Sequence, residues 1–213
     1  MLEIQLENCG KSWNRNWLYR NLNVTLQTGE KWALLGANGA GKSTLSLMLA
    51  SQVFPTEGQI LWSLNGKQVP EHKRHACVAL ASPAMELPEE FNIPEIVQFQ
   101  SRMRTFKVPN ASQAIADICA FSSTTMKKPV STFSSGMKQR MKLCLAAMAD
   151  TPLLILDEPL TNLDEAGTRV FHSLLENYTG ERLLVIASNR AEEYSMCTRT
   201  ITLQPGGSAV LNQ

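Results

Sequence analysis

Gly36-Ala37-Asn38-Gly39-Ala40-Gly41-Lys42-Ser43-Thr44 gathers three glycines, a lysine and two hydroxyls into one short stretch, and that grouping can hold a phosphate chain. Glycines at these spacings let successive N–H groups turn inward on an anion, and a helix starting near Ser43 adds the positive end of its dipole at the same point. In that geometry Lys42 reaches the β- and γ-phosphates of a nucleotide, and the Ser43 hydroxyl faces Mg²⁺. Such a loop needs a strand before it and a helix after it. The apolar run Trp32-Ala33-Leu34-Leu35 supplies the first, and Leu45, Leu47, Met48 and Leu49 carry the helical spacing of the second.

A second reactive group closes another apolar run. Leu153-Leu154-Ile155-Leu156 ends in Asp157-Glu158 before Pro159. Beside a phosphate loop, an Asp at the end of a neighbouring strand holds Mg²⁺, which makes Asp157 the metal-side candidate. Side chains alternate along a strand, so Glu158 is expected to point the other way and to polarise a water.

These groups must be carried by a scaffold, and its elements are legible as periodicities. Leu2, Ile4 and Leu6, then Leu22, Val24 and Leu26, alternate with polar residues and predict half-buried strands. The helix after the loop is expected to run to about Gln52. Ile60 to Trp62 reads as a strand, Asn65-Gly66 as a hairpin turn and Cys77 to Ala81 as another strand. From Pro94 to about Met126 the spacing turns helical, which predicts a small helical subdomain. Met137, Met141, Cys144, Leu145 and Met148 share one helix face, with Lys138, Arg140 and Lys142 expected in solvent. Leu153 to Leu156, Leu183 to Ala187 and Thr200 to Leu203 alternate with helical stretches, the rhythm of a mostly parallel sheet. Pro205-Gly206-Gly207 predicts a last hairpin.

Composition narrows the class. A chain of 213 residues with 44% hydrophobic content suits one globular domain over 1–213, and 20 Lys and Arg against 19 acidic residues give no field that would favour nucleic acid. No run approaches the roughly 20 apolar residues needed to span a bilayer, and Met1-Leu2-Glu3-Ile4-Gln5 has no leader character, so a cytoplasmic location is expected. Cys9, Cys77, Cys119, Cys144 and Cys197 are widely spaced and never Cys-x-x-Cys, which predicts reduced packing residues.

Thr132-Phe133-Ser134-Ser135-Gly136-Met137-Lys138-Gln139-Arg140 resembles the Leu-Ser-Gly-Gly-Gln signature, with trailing Gln-Arg, of ATP-binding cassette (ABC) ATPases, and Leu160-Thr161-Asn162-Leu163-Asp164 resembles that family's D-loop. The order of phosphate loop, signature, acidic strand and D-loop covers nearly the whole chain. The resemblance implies an α/β fold: a P-loop NTPase core with an N-terminal antiparallel β subdomain and an inserted helical subdomain over about 83–132. It also implies ATP and Mg²⁺ as cofactors, with Gly36, Asn38, Gly39, Ala40, Gly41, Lys42, Ser43 and Thr44 around the nucleotide and Ser43 and Asp157 on the metal. ATP bound to one subunit would be closed over by Ser134 and Gly136 of a second in a homo- or heterodimer. Gln139 and Arg140 are expected to fix local structure. Trp13, 23 positions before Gly36, stands where the family stacks adenine, with Trp17 as the alternative.

Two positions depart from the family pattern. Ser82-Pro83 follows the strand Cys77 to Ala81 where a Gln is usual, and Ser188-Asn189 follows Leu183 to Ala187 where a His is usual. Asn donates a hydrogen bond but carries no charge. With Lys42 and Glu158 as catalytic residues and Ser82 and Asn189 as altered switches, the resemblance implies a slow ATPase. The expected function is the ATP-binding and ATP-hydrolysing subunit of an exporter-like ABC transporter, held to the inner face of the membrane by a separate transmembrane permease. That permease is expected to dock around Ser82 to Phe99, where Met85, Leu87 and Phe91 form an apolar patch. The alternative is a soluble ABC-family regulatory or assembly factor with weak ATPase activity.

Overall fold

The structure, a computed structural model, describes residues 1–204 and 208–212. In chain order the elements are β1 (Leu2–Trp13), β2 (Asn16–Gln27), β3 (Lys31–Gly36), α1 (Lys42–Leu49), β4 (Glu57–Leu64), β5 (Lys67–Gln68), α2 (Glu71–Arg74), β6 (Val78–Ala81) and α3 (Ile93–Ser101). They continue with α4 (Ala111–Cys119), α5 (Ser123–Met126), α6 (Ser135–Met148), β7 (Leu153–Asp157), α7 (Glu165–Tyr178), β8 (Leu183–Ala187), β9 (Arg199–Leu203) and β10 (Ala209–Asn212). They form two compact units. The first holds Met1–Leu80, Pro152–Glu158 and Glu181–Gln213, and the second holds Ala81–Thr151 and Pro159–Gly180.

In the first unit a four-stranded antiparallel sheet runs β2-β1-β4-β5, and a six-stranded sheet runs β10-β9-β3-β8-β7-β6. Strand β3 pairs in parallel with β8 and β9, and β7 in parallel with β8. The continuous apolar runs of β7 and β8 are buried at every residue, which fits central parallel strands covered on both faces. The alternating residues Leu2, Ile4, Leu6, Val24 and Leu26 turn inward with Tyr19, Trp32 and Trp62 to make the core. Strand β10 pairs antiparallel with β9, while the expected turn at residues 205–207 lies outside the described residues.

Strand β1 is twice the length its alternation predicts. Register shifts after Leu6, Cys9 and Lys11, with Asn8 at φ 47°, break the period of two, so the pattern stops at Leu6 although the strand continues. Helix α1 also ends earlier than Gln52. Ser51 takes a left-handed φ of 56°, and the amides of Gln52 and Ser51 return to the carbonyls of Leu47 and Met48 at 2.9 and 3.0 Å, a Schellman closure with serine in place of the usual glycine. The Asn65-Gly66 turn forms as expected between β4 and β5, both residues having positive φ.

In the second unit α6 packs against α4 and α7 around Ile93, Ile96, Ile115, Met141, Cys144 and Met148. The basic residues of α6 are not a solvated face. Lys142 Nζ donates to the carbonyls of Ser82, Pro83 and Met85 at 3.0, 3.1 and 3.2 Å, Lys138 pairs with Glu89 at 2.6 Å, and Arg140 reaches the Cys119 carbonyl at 3.4 Å. Burial, with Lys138 nearby, lowers the Lys142 pKa. Charge spacing alone reveals none of this, because each partner comes from a distant segment. All five cysteines are free thiols, and Cys9, Cys119 and Cys144 are buried as packing residues. No described helix is long and apolar enough to cross a membrane.

Helix α3 starts at a capping box in which Asn92 Oδ1 accepts from the Glu95 amide and Glu95 accepts from the Asn92 amide, at 3.1 and 2.8 Å. Asn92→Ala should therefore cost about 1 kcal/mol of stability, read as a lower urea midpoint with an unchanged m-value.

Candidate functional site

Strand β3 delivers the chain into the glycine loop at Gly36, and α1 takes it away at Lys42. Gly36, Gly39 and Gly41 all have positive φ, at 144°, 81° and 102°. At Gly36 no other residue fits, since a Cβ there would lie 2.5 Å from the Leu203 carbonyl oxygen. The loop curls around the ammonium of Lys42, whose Nζ donates to the carbonyls of Gly36 and Ala37 at 2.7 and 3.2 Å. Lys42 is only 5% exposed. Gly41 at the head of α1 gives no side-chain cap. The first-turn amides of a helix have no partner within it, so Lys42, Ser43 and Thr44 present donors and the positive dipole end to the loop.

Gly41 rests on Leu18 and the ring of Tyr19, each within 3.2 Å of where its Cβ would stand. Tyr19 is fully buried, its hydroxyl directed at Met48 Sδ of α1 at 2.9 Å, and burial raises its pKa so that it stays a neutral phenol. The sequence hides this floor because Leu18 is the extra residue of a bulge in β2, opposite Lys11 and Ser12, and interrupts the alternation.

The acidic pair and Asn189 join the loop through the sheet. Gly36 ends β3, Asp157 ends β7, and Asn189 lies just past β8, which runs between those strands, so all three stand at the C-terminal ends of adjoining parallel strands. Ligand crevices of open α/β sheets form at this edge. Asp157 is buried in register with Ala187. Glu158 is exposed, and it separates from Asp157 by a different route from strand alternation. The strand has ended, Glu158 adopts a left-handed φ of 45°, and its amide donates to the Ala187 carbonyl at 2.8 Å.

Asn189, 151 residues from Asn38, reaches across to the loop. In one amide orientation Nδ2 donates to Asn38 Oδ1 at 2.9 Å. In the other, Nδ2 donates to the Gly36 carbonyl at 2.5 Å and Oδ1 accepts from Lys42 Nζ at 3.3 Å, an arrangement that requires the Asn38 amide to turn as well, because Asn189 Oδ1 then faces it at 2.9 Å. Its backbone is fixed on both sides, by the Ser188 amide on the Leu34 carbonyl and the Arg190 amide on Ser188 Oγ.

The two tryptophan candidates fall on opposite faces of the β1–β2 hairpin. Trp13 opposes Asn16 and shares its face with Lys11 and Tyr19, the face that meets Gly41; Trp17 opposes Ser12 and lies on the outer face beneath Arg20. Lys11 Nζ sits 4.3 Å over the Trp13 ring, which remains 52% exposed.

The remaining candidates lie in the second unit. Ser134 is the N-cap of α6, its Oγ accepting from the Met137 amide at 3.2 Å. Gly136 lies where a Cβ would be 3.0 Å from the Asn162 carbonyl, and Gln139 Nε2 donates to the Pro159 carbonyl at 3.0 Å, so the first turn of α6 is joined to the segment after the acidic strand. Ser82 is buried in a turn whose carbonyls hold Lys142, and its Oγ faces the Ala84 amide at 3.4 Å.

A family model described as ABC transporter matches residues 19–161. The chain is 30% identical over 205 residues to the probable ATP-binding protein YbiT of Escherichia coli O157:H7, covering 95% of this chain and 36% of that protein. It is 30% identical over 209 residues to Nod factor export ATP-binding protein I of Rhizobium johnstonii, covering 95% and 67%. The chain thus spans about a third of the first relative's length. Among solved structures, the dimeric bacterial ABC transporter cassette MJ0796 superposes with a TM-score of 0.81 at 18% identity, over 99% of this chain and 98% of that one.

The close approach of Gly36 to Leu203 fixes an outcome. Gly36→Ala should cost about 3 kcal/mol in urea unfolding, through a steric clash on a strained φ. Gly39→Ala, which meets nothing within 4 Å, should cost only about 1 kcal/mol.

Proposed function

This chain belongs to the ABC transporter family, and we propose that it is the ATP-binding and ATP-hydrolysing subunit of an ABC transporter that drives a separate membrane permease through ATP-dependent closure of a cassette dimer. The observation that carries the reading is the enclosure of the Lys42 ammonium by the loop at the uncapped start of α1. A cation and a set of backbone donors converge there, and a phosphate chain is the ligand that satisfies both.

In this reading the loop residues Gly36 to Thr44 cradle the phosphates, and Lys42 exchanges its carbonyl partners for the β- and γ-phosphate oxygens. The adenine stacks on Trp13, whose shared face with Tyr19 favours it over Trp17. Ser43, exposed on the first turn of α1, and the buried Asp157 offer the hard hydroxyl and carboxylate oxygens that Mg²⁺ takes together with substrate phosphates. Held there, the ion would supply neutralisation of the charge on the phosphates. Glu158, lifted into solvent by its left-handed turn, polarises the attacking water. Ser134 and the first turn of α6 from a second cassette close over the γ-phosphate with the positive end of a 14-residue helix.

Hydrolysis is slow in this account. Asn189 supplies a neutral donor where a charged one would stabilise the breaking bond, and the short, buried Ser82 replaces a longer amide. The permease docks on the segment Ser82 to Phe99, where Met85 and Phe99 are exposed and Phe91 meets Phe99 edge-on at 6.3 Å. The chain then sits at the inner membrane face without crossing it. The export name of the Rhizobium relative agrees with the exporter-like signature.

Two experiments test this reading. Lys42→Ala should abolish measurable MgATP binding, whereas Glu158→Gln should keep the affinity and accumulate an ATP-bound dimer, seen by mass in solution. A Lys42→Ala protein that binds and hydrolyses like the parent would refute the assignment. Asn189→His combined with Ser82→Gln should raise single-turnover hydrolysis at saturating MgATP by up to about a hundredfold, the worth of one aligned donor or about 3 kcal/mol, with little change in affinity. A parent already fast would remove the slow-switch part of the reading and leave nucleotide binding intact.

A further inference from the structure

Away from the loop, the first unit carries a cavity of about 470 Å³, partly open to solvent, between the end of α1, strand β4 and α2. Its walls mix apolar side chains, among them Met48, Ile60 and Val69, with polar ones that include Ser51, Glu71 and Arg74. Arg74 is only 7% exposed. Arginine is almost never this buried without a carboxylate partner, yet Arg74 takes part in no ion pair among the described residues. Its Nε donates to the Val69 carbonyl at 3.2 Å, and its guanidinium carbon lies 5.8 Å from the centre of the Trp62 ring. Glu71, three residues earlier on α2, acts on it electrostatically without contact, while burial lowers the Arg74 pKa. Ser51 Oγ is also buried and without a hydrogen-bond partner among the described residues.

A nearly buried guanidinium that no carboxylate pairs directly, an orphan hydroxyl and apolar side chains around one volume fit a ligand with one anionic end and an apolar body, and Glu71 in the same wall limits the negative charge that the ligand can carry. The volume falls within the range of small-molecule sites, in which a few polar groups orient a largely apolar ligand. A single guanidinium with Glu71 nearby favours a monoanion over a phosphate dianion, since a second negative charge would find no second cation. The planar fork of the guanidinium matches a carboxylate in two parallel hydrogen bonds. We propose that this cavity binds a small organic carboxylate with an apolar body, held by Arg74 and Ser51. The site is separate from the glycine loop and does not depend on the function proposed above.

The test is a titration of the whole chain with hexanoate and phenylacetate, against their neutral amides and inorganic phosphate, followed by ¹H–¹⁵N shifts of the Arg74 guanidinium and the Trp62 indole. The expected result is saturable binding of the carboxylates with both signals moving, and amides weaker by at least about tenfold. Arg74→Met should reduce carboxylate binding to the level of the amides. Equal binding of acid and amide, no saturable binding of either carboxylate, or tighter binding of phosphate would each overturn the proposal. The acid–amide comparison uses the unaltered protein, so it decides the matter even if Arg74→Met does not fold.

Discussion

The contact of the Lys42 ammonium with the Gly36 and Ala37 carbonyls organises the site. A nearly buried lysine must be compensated, because an unpartnered ammonium out of water is strongly disfavoured. Here the compensation comes from backbone oxygens of its own loop, which requires the loop to fold back on itself and therefore requires glycine at 36. The same closure aims the first amides of α1 at the space an anion would fill. Tyr19 and Leu18 support the loop under Gly41, so the loop geometry rests on the packed core of the first unit.

The second unit has its own constraint. The start of α6 is fixed by the Ser134 cap, by the Gln139 bond to Pro159 and by the close approach of Gly136 to Asn162. Farther along the helix, Lys142 uses its three donors on three carbonyls of the Ser82 to Met85 turn, and Lys138 pairs with Glu89. The segment that carries Met85 and the helix that carries Ser134 are thereby joined within one unit.

Much of this was legible in the sequence because it is local. The glycine-lysine spacing, the apolar run ending in Asp157-Glu158 and the serine before α6 each state their geometry within a few residues. What was not legible depends on distant partners or on broken periods. The bulges of β1 and β2 cancel the alternation that would have revealed the whole hairpin and the Tyr19 floor. The left-handed Ser51 ends α1 without a glycine to announce it. Lys142 looks like any helical lysine until the Ser82 turn folds onto it. Asn189 and Asn38 come together only because β8 lies next to β3 in the sheet. The ion-pair-free Arg74 has no sequence signal at all, since burial comes from the fold.

The most direct test of the central claim, that the 36–44 loop is a phosphate cradle, is the response of its backbone amides to nucleotide. In a ¹H–¹⁵N titration with MgATP, the amides of Gly39, Gly41, Lys42, Ser43 and Thr44 should move together and saturate at one nucleotide per chain. The Lys42 ammonium should shift as it passes from carbonyl to phosphate partners. Saturation by MgATP with those resonances unmoved would place the nucleotide elsewhere and contradict the account.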